Sequence, residues 1–351
     1  MKKINFKRIC ASVLAGTMLT GFGLNTNALA DNNQRIEKFL LTEEEQNDPN
    51  YSYMINDDYE NLFTEEEVLT YNRLIKSILD QEWFYPMDEN DERNMLIGEA
   101  IYHSPYNMLL EAVGYDPDVN EMVFYYLFDQ NEQNQNLSFV QTEMERIREE
   151  LFEDDMSTLD KLIVLFDYMT HHYAYTMIYP KQFILENGTT LKIPLYYLLK
   201  YRNGVCHTFS YFIDYFCQLE GIESYLITGY LGKTGHMWNM VRLDDGELYM
   251  FDATTALTKG KPLNNIYICF GITKQEYEMY SFSNPKKYRP LSFRMQHIKT
   301  LPSEFRGYMS AEYLGNHIFK MTKQSGIVYL NTETREVGNT IEEVTGKGLV
   351  R

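Results

Sequence analysis

The sequence predicts an α+β fold, and three observations carry that expectation. Residues 206–220 place Phe209, Phe212, Ile213, Phe216 and Leu219 at helical spacing, one apolar stripe closed by Gly221, a residue suited to ending a helix. Strand-like runs at 223–231, 236–243 and 247–254 come next, the last two joined by Asp244-Asp245-Gly246. Helix signals dominate the preceding region. Thr64-Glu65-Glu66-Glu67 is a capping box opening a helix toward Gln81, with further helices expected over 93–102 and 141–152 and a strand over 122–127. Ser157-Thr158-Leu159-Asp160 starts the helix that leads into the core. The expected architecture is a cysteine-bearing helix packed on an antiparallel sheet, preceded by a mostly helical N-terminal region.

In chain order, residues 1–30 read as a secretory signal. Lys2, Lys3, Lys7 and Arg8 make a basic start, 9–24 is apolar, and Ala28-Leu29-Ala30 is a small-x-small cleavage site. Cys10 opens the apolar stretch instead of closing it, which argues against a lipid anchor. Residues 31–62 are a flexible acidic segment and 63–155 the helical region. The run Asp88-Glu89-Asn90-Asp91-Glu92 lacks the central glycine of a calcium loop and reads as a solvated loop. The core spans 156–275. A C-terminal extension, 276–351, contains an alternating stretch over 326–337 that turns like a hairpin and has no readable role. No later segment has the apolar length of a membrane span.

Composition narrows the partners. Removal of the leader takes four of the 32 basic residues and no acid, leaving 28 against 50 and a net charge of −22. Such a surface repels nucleic acid and anionic polymers. It tolerates neutral or basic peptides, although solubility alone is reason enough for the acidity.

The cysteine, the histidine and the aspartate of this region have compatible geometry. Cys206 begins its helix, where first-turn N–H groups favour a thiolate. A three-residue type I turn with Gly246 in the left-handed region sets Leu243 opposite Glu247 and Trp238 opposite Asp252. His236 and Asp252 then lie on one face as diagonal neighbours. A two-residue loop would put them on opposite faces.

Gly204-Val205-Cys206, His236-Met237-Trp238-Asn239 and Asp252-Ala253-Thr254 together resemble the transglutaminase-like superfamily of cysteine enzymes. The resemblance takes in the helix over 159–169 and Tyr173-Ala174-Tyr175. It implies a papain-like arrangement with Cys206 as nucleophile, His236 as general base and Asp252 holding the imidazole. It implies thioester acyl transfer on peptide or protein amides, as peptidase, amidase or transamidase, with cell-wall peptides among the substrates. The family usually has proline after the aspartate, where this chain has Ala253. A longer segment between Tyr175 and Leu198 leaves an upstream oxyanion donor unassigned.

Taken singly, a helix-start cysteine is more often a buried hydrophobe, a strand histidine a satisfied polar group and a strand-end aspartate a cap. Their order and register together favour catalysis. The alternative is a non-catalytic surface or cell-wall binding protein on the same fold. Of the remaining cysteines, Cys217 lies about 16 Å along the helix from Cys206, too far for a bridge. A bridge between Cys217 and Cys269 stays open, although both read more simply as core residues. His171-His172 closes a helix, and His207 is expected to point away from Cys206 by the helical turn. No metal-ligand spacing, phosphate loop or dinucleotide fingerprint is present, so no metal or cofactor is expected.

Overall fold

The computed structural model describes residues 59–345 apart from 60–61, 88–90, 117, 177–178, 185–190, 255–269, 272–281 and 284–298. The signal (1–30), nearly all of the acidic segment (31–62), Cys10 and Cys269 lie outside the described residues.

The N-terminal region holds helices α1 (Glu65–Leu79), α2 (Asp91–Tyr102) and α3 (Gln130–Leu151). The capping box at Thr64 and Glu67 forms as expected. Asp91 and Glu92, read from sequence as loop, instead open α2. Helix α3 starts eleven residues earlier than expected. Asp129 caps it by accepting the Glu132 N–H at 3.0 Å, and a first stretch of Gln and Asn residues gives no apolar period to read. These helices accompany a three-stranded antiparallel sheet, β1 (Phe84–Pro86), β2 (Leu110–Asp116) and β3 (Glu121–Tyr126), in the order β1-β3-β2.

Helix α4 (Thr158–His172) is entered through a capping box between Ser157 and Asp160, and β4 (Ala174–Tyr175) follows it. After α5 (Leu195–Tyr201), the short strand β5 (Asn203–Gly204) pairs with β4 in parallel, setting Tyr175 beside Gly204. Helix α6 (Cys206–Leu219) comes next, and all five residues of its expected stripe are buried. Its end is a Schellman motif. Gly221 has φ 65°, the Ile222 N–H donates to the Cys217 carbonyl at 2.6 Å, and the Gly221 N–H donates to that of Gln218 at 3.1 Å.

The central sheet is antiparallel, in the order β8-β7-β6-β9, with β6 (Ser224–Leu231), β7 (Thr234–Arg242), β8 (Leu248–Phe251) and β9 (Phe282–Ser283). Helix α6 packs on β6 and β7, tied by the buried Asn239, whose amide donates to the Ser210 carbonyl at 3.0 Å. The β7–β8 register is the expected one: Arg242 faces Leu248 and Asn239 faces Phe251. The Gly246 N–H closes the turn on the Leu243 carbonyl at 2.9 Å, with Gly246 at φ 77°.

The C-terminal extension forms a second four-stranded antiparallel sheet, β10 (Ser310–Tyr313), β11 (Ile318–Lys323), β12 (Gly326–Asn331) and β13 (Glu336–Gly338), closed by the short α7 (Ile341–Thr345). The hairpin read over 326–337 is β12–β13. No described helix is long and apolar enough to cross a membrane.

Candidate active site

Cys206 reaches its place because the backbone before it is tightly packed. A Cβ on Gly204 would stand 3.1 Å from the Thr208 Cβ and 3.2 Å from Leu198, so a larger residue would press on the helix start by a few tenths of an ångström. The residue preceding the helix is Val205, which offers no side-chain cap. Thr208, three residues into the helix, instead takes the Val205 N–H on its hydroxyl at 3.4 Å. The first turn thus keeps its amide polarity directed at the half-buried Cys206.

His236 and Asp252 meet as the register requires. The His236 Nε2 lies 2.9 Å from the Asp252 Oδ2, and both side chains are almost fully buried. The other carboxylate oxygen accepts the Thr254 N–H at 2.9 Å, which fixes the carboxylate plane. An Nε2–H donated to Asp252 leaves Nδ1 as the basic atom of the ring. The ring stacks against Trp238, with centroids 6.0 Å apart.

The electrostatics follow from this contact. Burial opposes ionisation of the Cys206 thiol, yet hydrogen bonds to His207 and His236 outweigh it and bring the thiol down to about 6. Burial likewise opposes charge on His236, and its hydrogen bonds to Asp252 and Cys206 overcome that and raise it to about 10. Between those two values the favoured state is a thiolate beside an imidazolium. Cys217, by contrast, is fully buried within α6 and its thiol is pushed well up by desolvation.

Two residues belong to this site that sequence reasoning misplaced or passed over. His207 lies near enough to help lower the Cys206 thiol, and its Nε2 accepts the Ile193 N–H at 2.8 Å. A turn of about 100° per residue separates their Cα–Cβ directions, and the Ile193 amide holds the His207 ring by its Nε2. Tyr175 is the other. Its hydroxyl is pushed up by burial and by the nearby charges of Cys206 and Asp252. The β4–β5 pairing that brings it there joins strands two residues long, which leave no periodicity in the sequence.

His171 and His172 close α4 through Nδ1 contacts to the carbonyls of Asp167 and Tyr168, at 2.7 and 2.8 Å. Among the described residues no group of histidine, cysteine or acidic side chains is gathered to hold a metal ion.

The model of the transglutaminase-like superfamily matches residues 145–253. This chain carries a transglutaminase-like core. The matched span runs from the second half of α3 to the residue after Asp252 and so contains Cys206, His236 and Asp252. Two similar solved structures are a protein described as a "putative cysteine protease" from Cytophaga hutchinsonii and a TGase. They are 18% and 16% identical over 39% and 38% of this chain, with TM-scores of 0.26 and 0.29. The chain spans about half (51%) of the first and about a third (35%) of the second. No curated protein matches the sequence significantly.

Proposed function

We propose that this protein is an exported cysteine enzyme of transglutaminase-like type, acting by thioester acyl transfer on peptide or protein amides. The observation that carries the reading is the buried His236 imidazole 2.9 Å from Asp252, in a setting where Cys206 and His236 act on each other to lower the thiol to about 6 and raise the imidazole to about 10. The basic and apolar leader of residues 1–30 supports export.

In this mechanism the Cys206 thiolate attacks the carbonyl carbon of a bound amide. The carbonyl electrons move to oxygen, where the Cys206 N–H at the helix start helps stabilise the negative charge. Collapse re-forms the carbonyl and breaks the C–N bond, as the His236 imidazolium gives its proton to the leaving amine. A thioester remains. Water or a primary amine then attacks it, His236 taking the proton, and the thiolate departs to restore the resting ion pair. Water yields hydrolysis and an amine yields a new amide. Asp252 holds the ring and its charge throughout, as the carboxylate of such triads does.

Alkylation of the intact protein with iodoacetamide at pH 6, read by peptide mapping, tests the proposal. Selective and rapid labelling of Cys206 is expected. Slow and uniform labelling of all cysteines would favour a binding protein on the same fold.

A further inference from the structure

We propose that Lys192 and Asn107 join in an intramolecular isopeptide bond, in which the Lys192 amine displaces ammonia from the Asn107 carboxamide and Glu111 carries the proton. The bond uses none of Cys206, His236 and Asp252, so it goes beyond the acyl-transfer reading and does not depend on it.

The reacting groups already touch. Asn107 lies in the 3₁₀ turn Pro105–Leu109 and is fully buried. Lys192 is 85 positions further along the chain, and its Nζ donates to the Asn107 Oδ1 at 3.1 Å. A C=O bond of about 1.2 Å leaves the Asn107 Cγ within about 4.3 Å of that nitrogen. The Leu110 carbonyl accepts a second Nζ hydrogen at 2.9 Å, and the Tyr211 ring centroid lies 5.8 Å from Nζ. The Asn107 Nδ2, the nitrogen that departs, donates to the Tyr211 hydroxyl at 3.3 Å. The Lys192 backbone N–H donates to the Glu111 carboxylate at 2.7 Å, which holds an acid–base group at the same residue.

Burial prepares both partners. Desolvation brings the Lys192 amine down to about 8, against the pull of the Glu111 charge, so the neutral amine is at hand near neutral pH. Desolvation also pushes the Glu111 carboxyl up, so it can take a proton and give it back. The Nζ lone pair attacks the Asn107 Cγ, and the carbonyl electrons move to Oδ1. Glu111 takes a proton from Nζ and delivers one to Nδ2. The carbonyl re-forms, the C–Nδ2 bond breaks and ammonia leaves. Lys192 and Asn107 then share a secondary amide, and no oxidant or co-reactant is consumed. The product replaces a buried ammonium, which is costly to desolvate, by a neutral amide. It staples the turn before β2 to the segment entering α5, where the neighbouring Ile193 N–H holds His207.

Intact-protein mass spectrometry of the folded wild-type chain decides the matter without any variant having to fold. The expected mass is lower than that of the sequence by one ammonia. A tryptic digest should show no cleavage after Lys192 and a branched peptide joining the segments that contain Asn107 and Lys192. The branched peptide is needed because an asparagine that closes on its own backbone also loses ammonia. A wild-type chain of full mass, or one whose missing ammonia maps to another residue, would overturn the proposal. Lys192→Met and Asn107→Leu should each keep the full mass, and either one still lacking an ammonia would count against the assignment. Glu111→Gln keeps an acceptor for the Lys192 N–H but cannot carry the proton, and it should be recovered with the full mass. Complete closure in that variant rejects the role of Glu111. Cys206→Ala keeps this result apart from the acyl-transfer reading. The bond is expected to form in that variant as in wild type, and its loss there would overturn closure by these three residues alone.

Discussion

At the scale of single residues, the site is governed by two shifted groups and a fixed carboxylate. With the thiol at about 6 and the imidazole at about 10, turnover should follow a bell-shaped pH profile. Activity rises through the first value as the thiolate forms and falls through the second as His236 loses the proton it must give to the leaving amine. Asp252→Asn tests the origin of the upper limb. An amide in place of the carboxylate keeps the shape and removes the charge that stabilises the imidazolium. The expected outcome is an upper limb displaced toward neutral pH and turnover of a peptide substrate reduced by orders of magnitude, with the thermal midpoint little changed. If Asp252 were only a strand-end cap, the midpoint would fall and Cys206 would alkylate as in wild type. Cys217 is the internal control: buried and pushed up, it should label far more slowly than Cys206 in the folded protein.

At the scale of elements, the legible parts of the chain were those where local chemistry and periodicity agree. Helix α6 announced itself by its stripe and by Gly221, and the β7–β8 register by its turn. Strand β2 did not: it follows a 3₁₀ turn at Pro105–Leu109 and is interrupted by a register shift between Leu110 and Ala112. The start of α3 was hidden by its polar first turns, and His207 by an amide that only the folded chain brings near. Gly246 tests the legible part. It sits at φ 77°, and a Cβ there would meet no atom within 4 Å, so any penalty for replacing it is one of backbone conformation. Gly246→Val should cost about 1–2 kcal/mol or more, since a β-branched residue resists this region. A slip of the hairpin would also part His236 from Asp252, so Cys206 alkylation at pH 6 should slow along with the loss of stability. In α6 itself, Phe212 is fully buried between Tyr173 and Phe216, with ring centroids 5.3 and 5.0 Å away. Phe212→Ala should therefore cost about 3–5 kcal/mol by chemical denaturation.

At the scale of the whole molecule, the regions flanking the core share one apolar cluster with it and are tied to it further by polar contacts. Glu111 and Lys192 tie the N-terminal sheet to the segment before α5. The C-terminal sheet meets α4, where the Asp167 carboxylate accepts the Ala311 N–H at 2.7 Å, and it reaches the β7–β8 turn, where Arg335 pairs with Asp245 at 2.7 Å. A further joint centres on Asp160, fully buried at the start of α4. It accepts the Ser157 N–H at 2.9 Å, the Thr332 hydroxyl and the His317 ring at 2.5 Å. His317 and Asn316 both hold positive φ, 62° and 51°, a costly turn that this bond helps to keep. The hydrogen bond to Asp160 raises His317 above the usual histidine range, opposed by burial and aided by Glu333 and Asp155. A raised folded pKa gives the sign. The stabilisation from this contact is fully present below the unfolded histidine value of about 6.5 and is lost as pH rises through the higher folded value. The difference in thermal midpoint between wild type and His317→Asn should accordingly be largest in mild acid and shrink toward alkaline pH. His236 titrates in the same direction and Cys206 in the opposite one, but both are common to the two proteins and drop out of the difference. A gap that stays constant from pH 5.5 to 9 would mean that the Asp160–His317 contact joins the C-terminal sheet to the core without carrying charge.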